Sequence, residues 1–202
     1  MARLIKIIFS IILVTSIFTA CIKEVENYDP NAQYLIEKPI IEEYAKANLN
    51  NPGFHQNSGI WYEVIDPGET GSYTYTVRDT LNSKVTYTHA RVKYEGKLLN
   101  GVVFDKFEAD TGAITPVYFN FTTGDAALIQ AWNLVFIPKN VAGVTFDAVT
   151  QTGLQVGSKI RFVTPSIWGY RNNQQAKIPA NSPLDFTIEV ISLSNQFTTP
   201  AN

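Results

Sequence analysis

The chain has 202 residues, 45% hydrophobic and 12% aromatic, enough for one well-packed core and one domain once an N-terminal leader is set aside. Sixteen Lys and Arg against 18 Asp and Glu leave a formal charge of −2, with no basic patch suited to phosphates, which argues against nucleic acid as a partner. The single cysteine excludes an internal disulfide, and the two histidines, His55 and His89, are distant in sequence and lack carboxylate or thiol companions, so metal and nucleophilic chemistry have no candidate centre and no cofactor is expected.

Residues 1–20 read as an export signal, with Arg3 and Lys6 at its start, an apolar run over 7–18 and small residues before Cys21. The run is too short and wrongly flanked to be a spanning helix. Phe18-Thr19-Ala20-Cys21 resembles a bacterial lipobox, with Phe18 where Leu is usual. That resemblance implies an acylated Cys21 as the mature N-terminus, a membrane tether without a spanning segment, and a place in the cell envelope on the outer membrane. Lys23, Glu24 and Glu26 are similar to the runs that follow the acylated cysteine in surface-exported lipoproteins of the Bacteroidetes, but the preferred reading is a solvated tether. Residues 28–31 read as linker. Leu35, Ile36, Ile40, Tyr44 and Ala47 then recur at three and four, which predicts an amphipathic helix over 32–49, interrupted near Pro39 and docked on the domain or paired with a second copy. Tether and helix together fill 21–58.

The domain is expected over 59–195. Ile60, Tyr62 and Val64 alternate up to the turn at Pro67-Gly68, giving a first strand. Two Thr- and Tyr-rich runs, 73–80 and 84–96, read as a hairpin around Leu81-Asn82-Ser83. Within the second, large apolar residues switch parity from Val85 and Tyr87 to Val92 and Tyr94, which predicts a bulge at residues 89–91. Residues 116–121 form a short strand. Leu128, Ala131, Trp132, Val135 and Phe136 then mark an amphipathic helix over 125–136, with Asp125 as its cap.

Further on, Ile160, Phe162 and Thr164 alternate with polar neighbours, as do Leu184, Phe186, Ile188 and Val190. The loop between these two strands carries Trp168, Tyr170 and Ile178-Pro179 where a mere connection would be small and polar, so it is expected to line something apolar. Short half-buried strands around one helix make the class α+β, an antiparallel sheet wrapped on a short amphipathic helix.

Two stretches carry a family resemblance. Val92, Tyr94, Gly96, Leu98, Gly101, Phe104 and Asp105 follow one pattern, and TPSIWGY with IPANSPLDFTIEV follows another. Together with Phe119-x-Phe121 and Gly124, Leu128, Ile129 and Trp132, they resemble the FKBP-type peptidyl-prolyl isomerases. The resemblance implies a proline-binding pocket walled by Tyr94, Phe104, Phe119, Leu128, Ile178 and Phe186, with Trp132 as its floor. It also implies that the Ile129 N–H bonds the substrate carbonyl, that the Tyr170 hydroxyl points at the bound peptide, and that Asp105 is a buried carboxylate oriented toward Tyr170. Proline-containing polypeptides and macrolide ligands are the implied partners. The sequence departs from the pattern at Ala131, Arg171 and Ala180, and residues 138–152 are an insertion. A non-catalytic binder of proline-containing segments and a surface scaffold lipoprotein share the same expected core.

Overall fold

The computed structural model describes residues 28–195; the leader, Cys21 and the charged run after it lie outside them. Helix α1, Pro30–Asn48, starts at Asp29, whose side chain accepts from the N–H groups of Asn31 and Ala32 at 2.9 and 3.2 Å, with Pro30 just inside the start. It thus takes in residues the sequence reading left as linker, and it continues through Pro39. An interior proline costs roughly 3 kcal/mol. Burial of Ile41 and Leu49 offsets this, at about 1.5–3 kcal/mol for each large aliphatic side chain taken out of water. The buried face is Glu37, Ile41, Ala45 and Leu49, packed with Tyr44 against Val163, Trp61 and Leu99. Leu35, Ile36 and Ile40, expected on that face, point to solvent.

The strands are β1 (Gly53–His55), β2 (Ile60–Asp66), β3 (Arg78–Thr80), β4 (Ser83–Leu98), β5 (Val103–Phe107), β6 (Ala113–Asn120), β7 (Asn140–Val141), β8 (Val144–Thr145), β9 (Lys159–Thr164) and β10 (Leu184–Ser194). All pairings are antiparallel; β7 and β8 make a separate hairpin and the other eight form one sheet, running β1-β2-β9-β10-β4. The long β4 carries β10 and β3 along one edge, β5 and β6 along the other. Ile60, Val92, Val117, Ile160, Phe162, Leu184 and Ile188 project from the sheet into the core.

Three local expectations are corrected. The pairing of β4 with β6 keeps one register from Val85↔Asn120 to Val92↔Ala113, so residues 89–91 hold no bulge. The inner face of this half is Thr86, Thr88, Ala90 and Val92, mostly small residues, while Tyr87 and His89 pack edge to face on the opposite side. Large residues therefore mark opposite faces in the two halves without any slip. The irregularity sits in the partner strand β10, between Val190 and Ser192.

Secondly, residues 73–77 are not a strand. Their groups are satisfied by the loop before β9: the Tyr73 N–H donates to Gln155 Oε1 at 3.0 Å, and the buried Tyr75 hydroxyl donates to the Leu154 carbonyl at 2.8 Å.

Thirdly, the central helix α2 is only Gln130–Phe136, and Asp125 does not cap it. Ala126 bridges to Phe119 and the Ala127 N–H donates to the Tyr118 carbonyl, so the chain prolongs the ladder of β6 before it can coil. Seven residues are too few to hold a helix alone. Six of them, from Ala131 through Phe136, are buried, and the core supplies what propensity does not. The insertion and the loop after it complete the far end of α2: the N–H groups of Val149 and Leu154 donate to the carbonyls of Leu134 and Phe136 at 2.7 and 3.0 Å.

Candidate functional site

A cavity of about 270 Å³ opens beside α2 at the end of the sheet where β4, β5, β6 and β10 meet. Its base is aromatic. Trp132, 6% exposed, lies edge to face with Tyr94 from β4 and Phe186 from β10, ring centres 5.5 and 5.6 Å away. Phe162 stacks behind Phe186 at 5.5 Å and Phe136 behind Trp132 at 5.9 Å. The floor is therefore backed by core rings and has little freedom to shift.

Phe104 reaches the cavity through a register shift: Gly96 pairs with Asp105 but Lys97 pairs with Val103, leaving Phe104 as the extra residue of β5. Its ring packs edge to face on Phe186 at 5.6 Å, over Gly96. A Cβ at residue 96 would lie 2.6 Å from the Phe104 ring and 2.7 Å from that of Phe186, so only glycine admits both rings.

Leu128 and Ile129 line the side next to α2. Ile129 is the residue before the helix, with extended backbone, so its N–H is not part of the helical ladder. Tyr170, half-buried, closes the opposite side. Its loop begins with the one-turn 3₁₀ helix Ser166–Trp168.

Eight of the ten expected side chains thus border one space: Tyr94, Phe104, Asp105, Leu128, Ile129, Trp132, Tyr170 and Phe186. Two do not. Phe119 sits three residues beyond Pro116, about 10 Å further along β6. There it packs on Phe121 and on Phe146 of the insertion, at 5.3 and 4.8 Å, and lines a second cavity with Trp168. Ile178 is 5% exposed in the main core, its loop closed by reciprocal backbone bonds with Gln175. Their places are taken by Ala113, Ile114, Thr115 and Pro116, at the start of β6, which the sequence reading began only at residue 116.

Asp105 also differs from expectation. It is exposed, and the hydroxyl donating to it, at 2.9 Å to Oδ2, is that of Tyr94 rather than Tyr170. Burial, followed by this hydrogen bond and the carboxylate charge, pushes the Tyr94 phenol up to about 12. Burial and then the charge of Asp105 raise Tyr170 as well. Both phenols are therefore neutral at physiological pH. Neither Arg171 nor any residue of 138–152 lines the cavity. His55, by contrast, does have an acidic neighbour: its Nε2 lies 3.3 Å from Asp147 and its Nδ1 2.8 Å from the Ser58 hydroxyl. Ser58 is 3% exposed and also accepts from the Ile60 N–H, so this chain of contacts fixes the turn between β1 and β2.

The family model of the FKBP-type peptidyl-prolyl cis-trans isomerases matches residues 82–191. Among curated relatives, FK506-binding protein 4 of Candida glabrata is 33% identical over 102 residues, half of this chain and 20% of that protein. A peptidyl-prolyl cis-trans isomerase of Saccharomyces cerevisiae is 31% identical over 104 residues, again 20% of its length. FK506-binding protein 2 of Dictyostelium discoideum is 32% identical over 105 residues, 64% of its length. The chain thus spans about a fifth of the length of the first two relatives. Among solved structures, FkpA from Escherichia coli shares 20% identity at a TM-score of 0.49, covering 81% of this chain and 62% of that one. With its family model spanning more than half of the chain, the protein belongs to the FKBP-type peptidyl-prolyl cis-trans isomerase family.

Proposed function

We propose that the protein is a peptidyl-prolyl cis-trans isomerase acting on X-Pro bonds of exported proteins, held at the cell envelope by a lipid on Cys21. The observation that carries the activity is the convergence of Tyr94, Phe104, Trp132, Tyr170 and Phe186, from separate segments, on one aromatic cavity. Rotation about an X-Pro amide needs no nucleophile and no metal. Its barrier is the partial double bond, roughly 18–20 kcal/mol, and water favours the charge-separated form that stiffens it. An aromatic box around the prolyl ring removes that water, while the Ile129 N–H and the Tyr170 hydroxyl hold the flanking carbonyls. Each ~1.36 kcal/mol taken off the barrier gives tenfold in rate. The same apolar box suits a macrolide such as the FK506 for which the relatives are named.

A protease-coupled assay, in which an X-Pro peptide is cut only in its trans form, tests the activity. Accelerated conversion of the cis fraction, lost in Trp132→Leu, is expected. A wild-type protein that binds the peptide without accelerating it makes the chain a binder, and one that does neither leaves a scaffold. For the anchor, Cys21→Ser should move the protein from the membrane to the soluble envelope fraction; unchanged membrane association defeats that part.

A further inference from the structure

We infer that Glu37, on the helix that precedes the family-matched segment, is a positioning residue for the Tyr170 side of the pocket. This rests on the isomerase reading and adds to it a group outside the residues 82–191 that define the family.

Glu37 is a carboxylate only 2% exposed, at the start of the buried face of α1, while the flanking Leu35, Ile36 and Ile40 face solvent. A buried carboxylate is costly unless its oxygens are bonded. Here they are: Oε2 accepts from the Ser166 N–H at 2.7 Å, and Oε1 accepts from the Ser166 hydroxyl and from Gln33 Nε2. Ser166 is itself fully buried and opens the 3₁₀ turn of the site loop. Its carbonyl then accepts from the N–H groups of Gly169 and Arg171, both at 2.9 Å. Those two residues bracket Tyr170. One residue, Ser166, therefore links the α1 carboxylate, through its N–H and hydroxyl, to both backbone neighbours of the tyrosine that closes the pocket, through its carbonyl.

The linkage is local to this loop. A second anchor of α1, Tyr44 to Asp185 at 2.8 Å, holds the helix to β10 and does not touch the site loop. Release of Glu37 frees Ser166 to turn and carries Tyr170 with it, whereas release of Tyr44 loosens the helix alone. Displacement of a positioning group by about 1 Å costs up to a hundredfold in rate.

The test is a cycle on the purified full chain: wild type, Glu37→Ala, Tyr170→Phe and the double variant, with kcat and KM for an X-Pro peptide and melting temperature for each. Glu37→Ala is expected to lower kcat about tenfold or more with a smaller change in KM, and the loss should shrink in the Tyr170→Phe background. Glu37→Gln keeps one acceptor oxygen, for the Ser166 N–H, with an amide that can donate to the Ser166 hydroxyl, and should recover part of the rate. Tyr44→Phe should lower the melting temperature without the fall in kcat. Should Glu37→Ala not fold, Ser166→Ala, which deletes only the hydroxyl contact, must show a smaller loss of the same kind. An unchanged kcat in these variants, or a loss that adds in full to that of Tyr170→Phe, overturns the inference while the isomerase reading stands. A wild-type chain without turnover overturns both.

Discussion

The Tyr94 hydroxyl donates to Oδ2 of Asp105 at 2.9 Å, across the neighbouring strands β4 and β5, so the two polar groups at the mouth of the pocket bond each other. The pairing leaves an aromatic wall whose phenol has its proton committed. It also sets a pH response. Tyr94 has its phenol pushed from 10.0 up to about 12, by burial first and the Asp105 bond second. A group whose folded value is raised stabilises the fold fully below its unfolded value and loses that contribution as pH climbs through the folded one. Stability should therefore fall between about pH 10 and 12, and Tyr94→Phe should remove part of that fall. Denaturant midpoints across the alkaline range check this, because Tyr44, also raised to about 12, remains in both proteins as an internal reference.

Gly96→Ala separates pocket geometry from chemistry. The new methyl meets the rings of Phe104 and Phe186 at 2.6–2.7 Å, and Phe186 cannot retreat while Trp132 and Phe162 back its ring. Overpacking of this kind costs about 1–3 kcal/mol. Phe104, at a bulge and half-buried, is the ring expected to move, so affinity for an X-Pro peptide should drop along with stability. A variant with wild-type peptide affinity would show that Phe104 is not a working wall.

Much of the site was legible because period-two strands and family motifs coincide at Tyr94, Phe104, Trp132 and Phe186. The motif names residues but not their depth. Phe119 follows the pattern, yet the inserted Phe146 draws its ring into a separate aromatic cluster. Asp105 follows it too, yet the carboxylate lies at the surface and takes the nearer phenol. The start of α2 was misjudged because helical spacing continues back from Gln130 while Ala126 is held in a bridge to Phe119. The least legible contacts are polar and distant: Glu37 meets Ser166 across 129 residues, and although Ser166 lies within the stretch TPSIWGY, no local pattern marks Glu37.

The same holds for Asp185, fully buried beside the pocket residue Phe186. It accepts from Arg161 Nε and Nη2 at 3.1 and 2.8 Å and from Tyr44 at 2.8 Å, with Lys97 at 3.6 Å. Asp185→Ala strands the Arg161 guanidinium and should cost about 3–5 kcal/mol. Replacing both partners, Arg161→Met with Asp185→Leu, should cost less than Asp185→Ala alone, since the guanidinium goes with its carboxylate and Lys97 keeps Glu95 at 3.8 Å. Chemical denaturation of the wild type and these two variants checks the order. A double variant weaker than Asp185→Ala would mean that the cluster contributes more than the desolvation it suffers.

Arg171 follows Tyr170 with φ at +56°, in the left-handed region, and is held there by its N–H to the Ser166 carbonyl and by its own carbonyl, which accepts from the Asn181 N–H at 2.7 Å. Left-handed backbone costs a residue with a Cβ roughly 1–2 kcal/mol. Glycine avoids that cost but adds about 0.5–1 kcal/mol of entropy to the unfolded chain. The exposed side chain offers one compensating contact, Nε to the Ile167 carbonyl at 3.2 Å. Arg171→Gly and Arg171→Ala both delete this contact, so their difference isolates the backbone. Gly should be the more stable of the two by up to about 1 kcal/mol, the reverse of the order at an ordinary extended position. Since Arg171 does not line the cavity, both variants should retain X-Pro peptide affinity close to that of the wild type. If Ala proves the more stable, the loop does not hold residue 171 left-handed in solution.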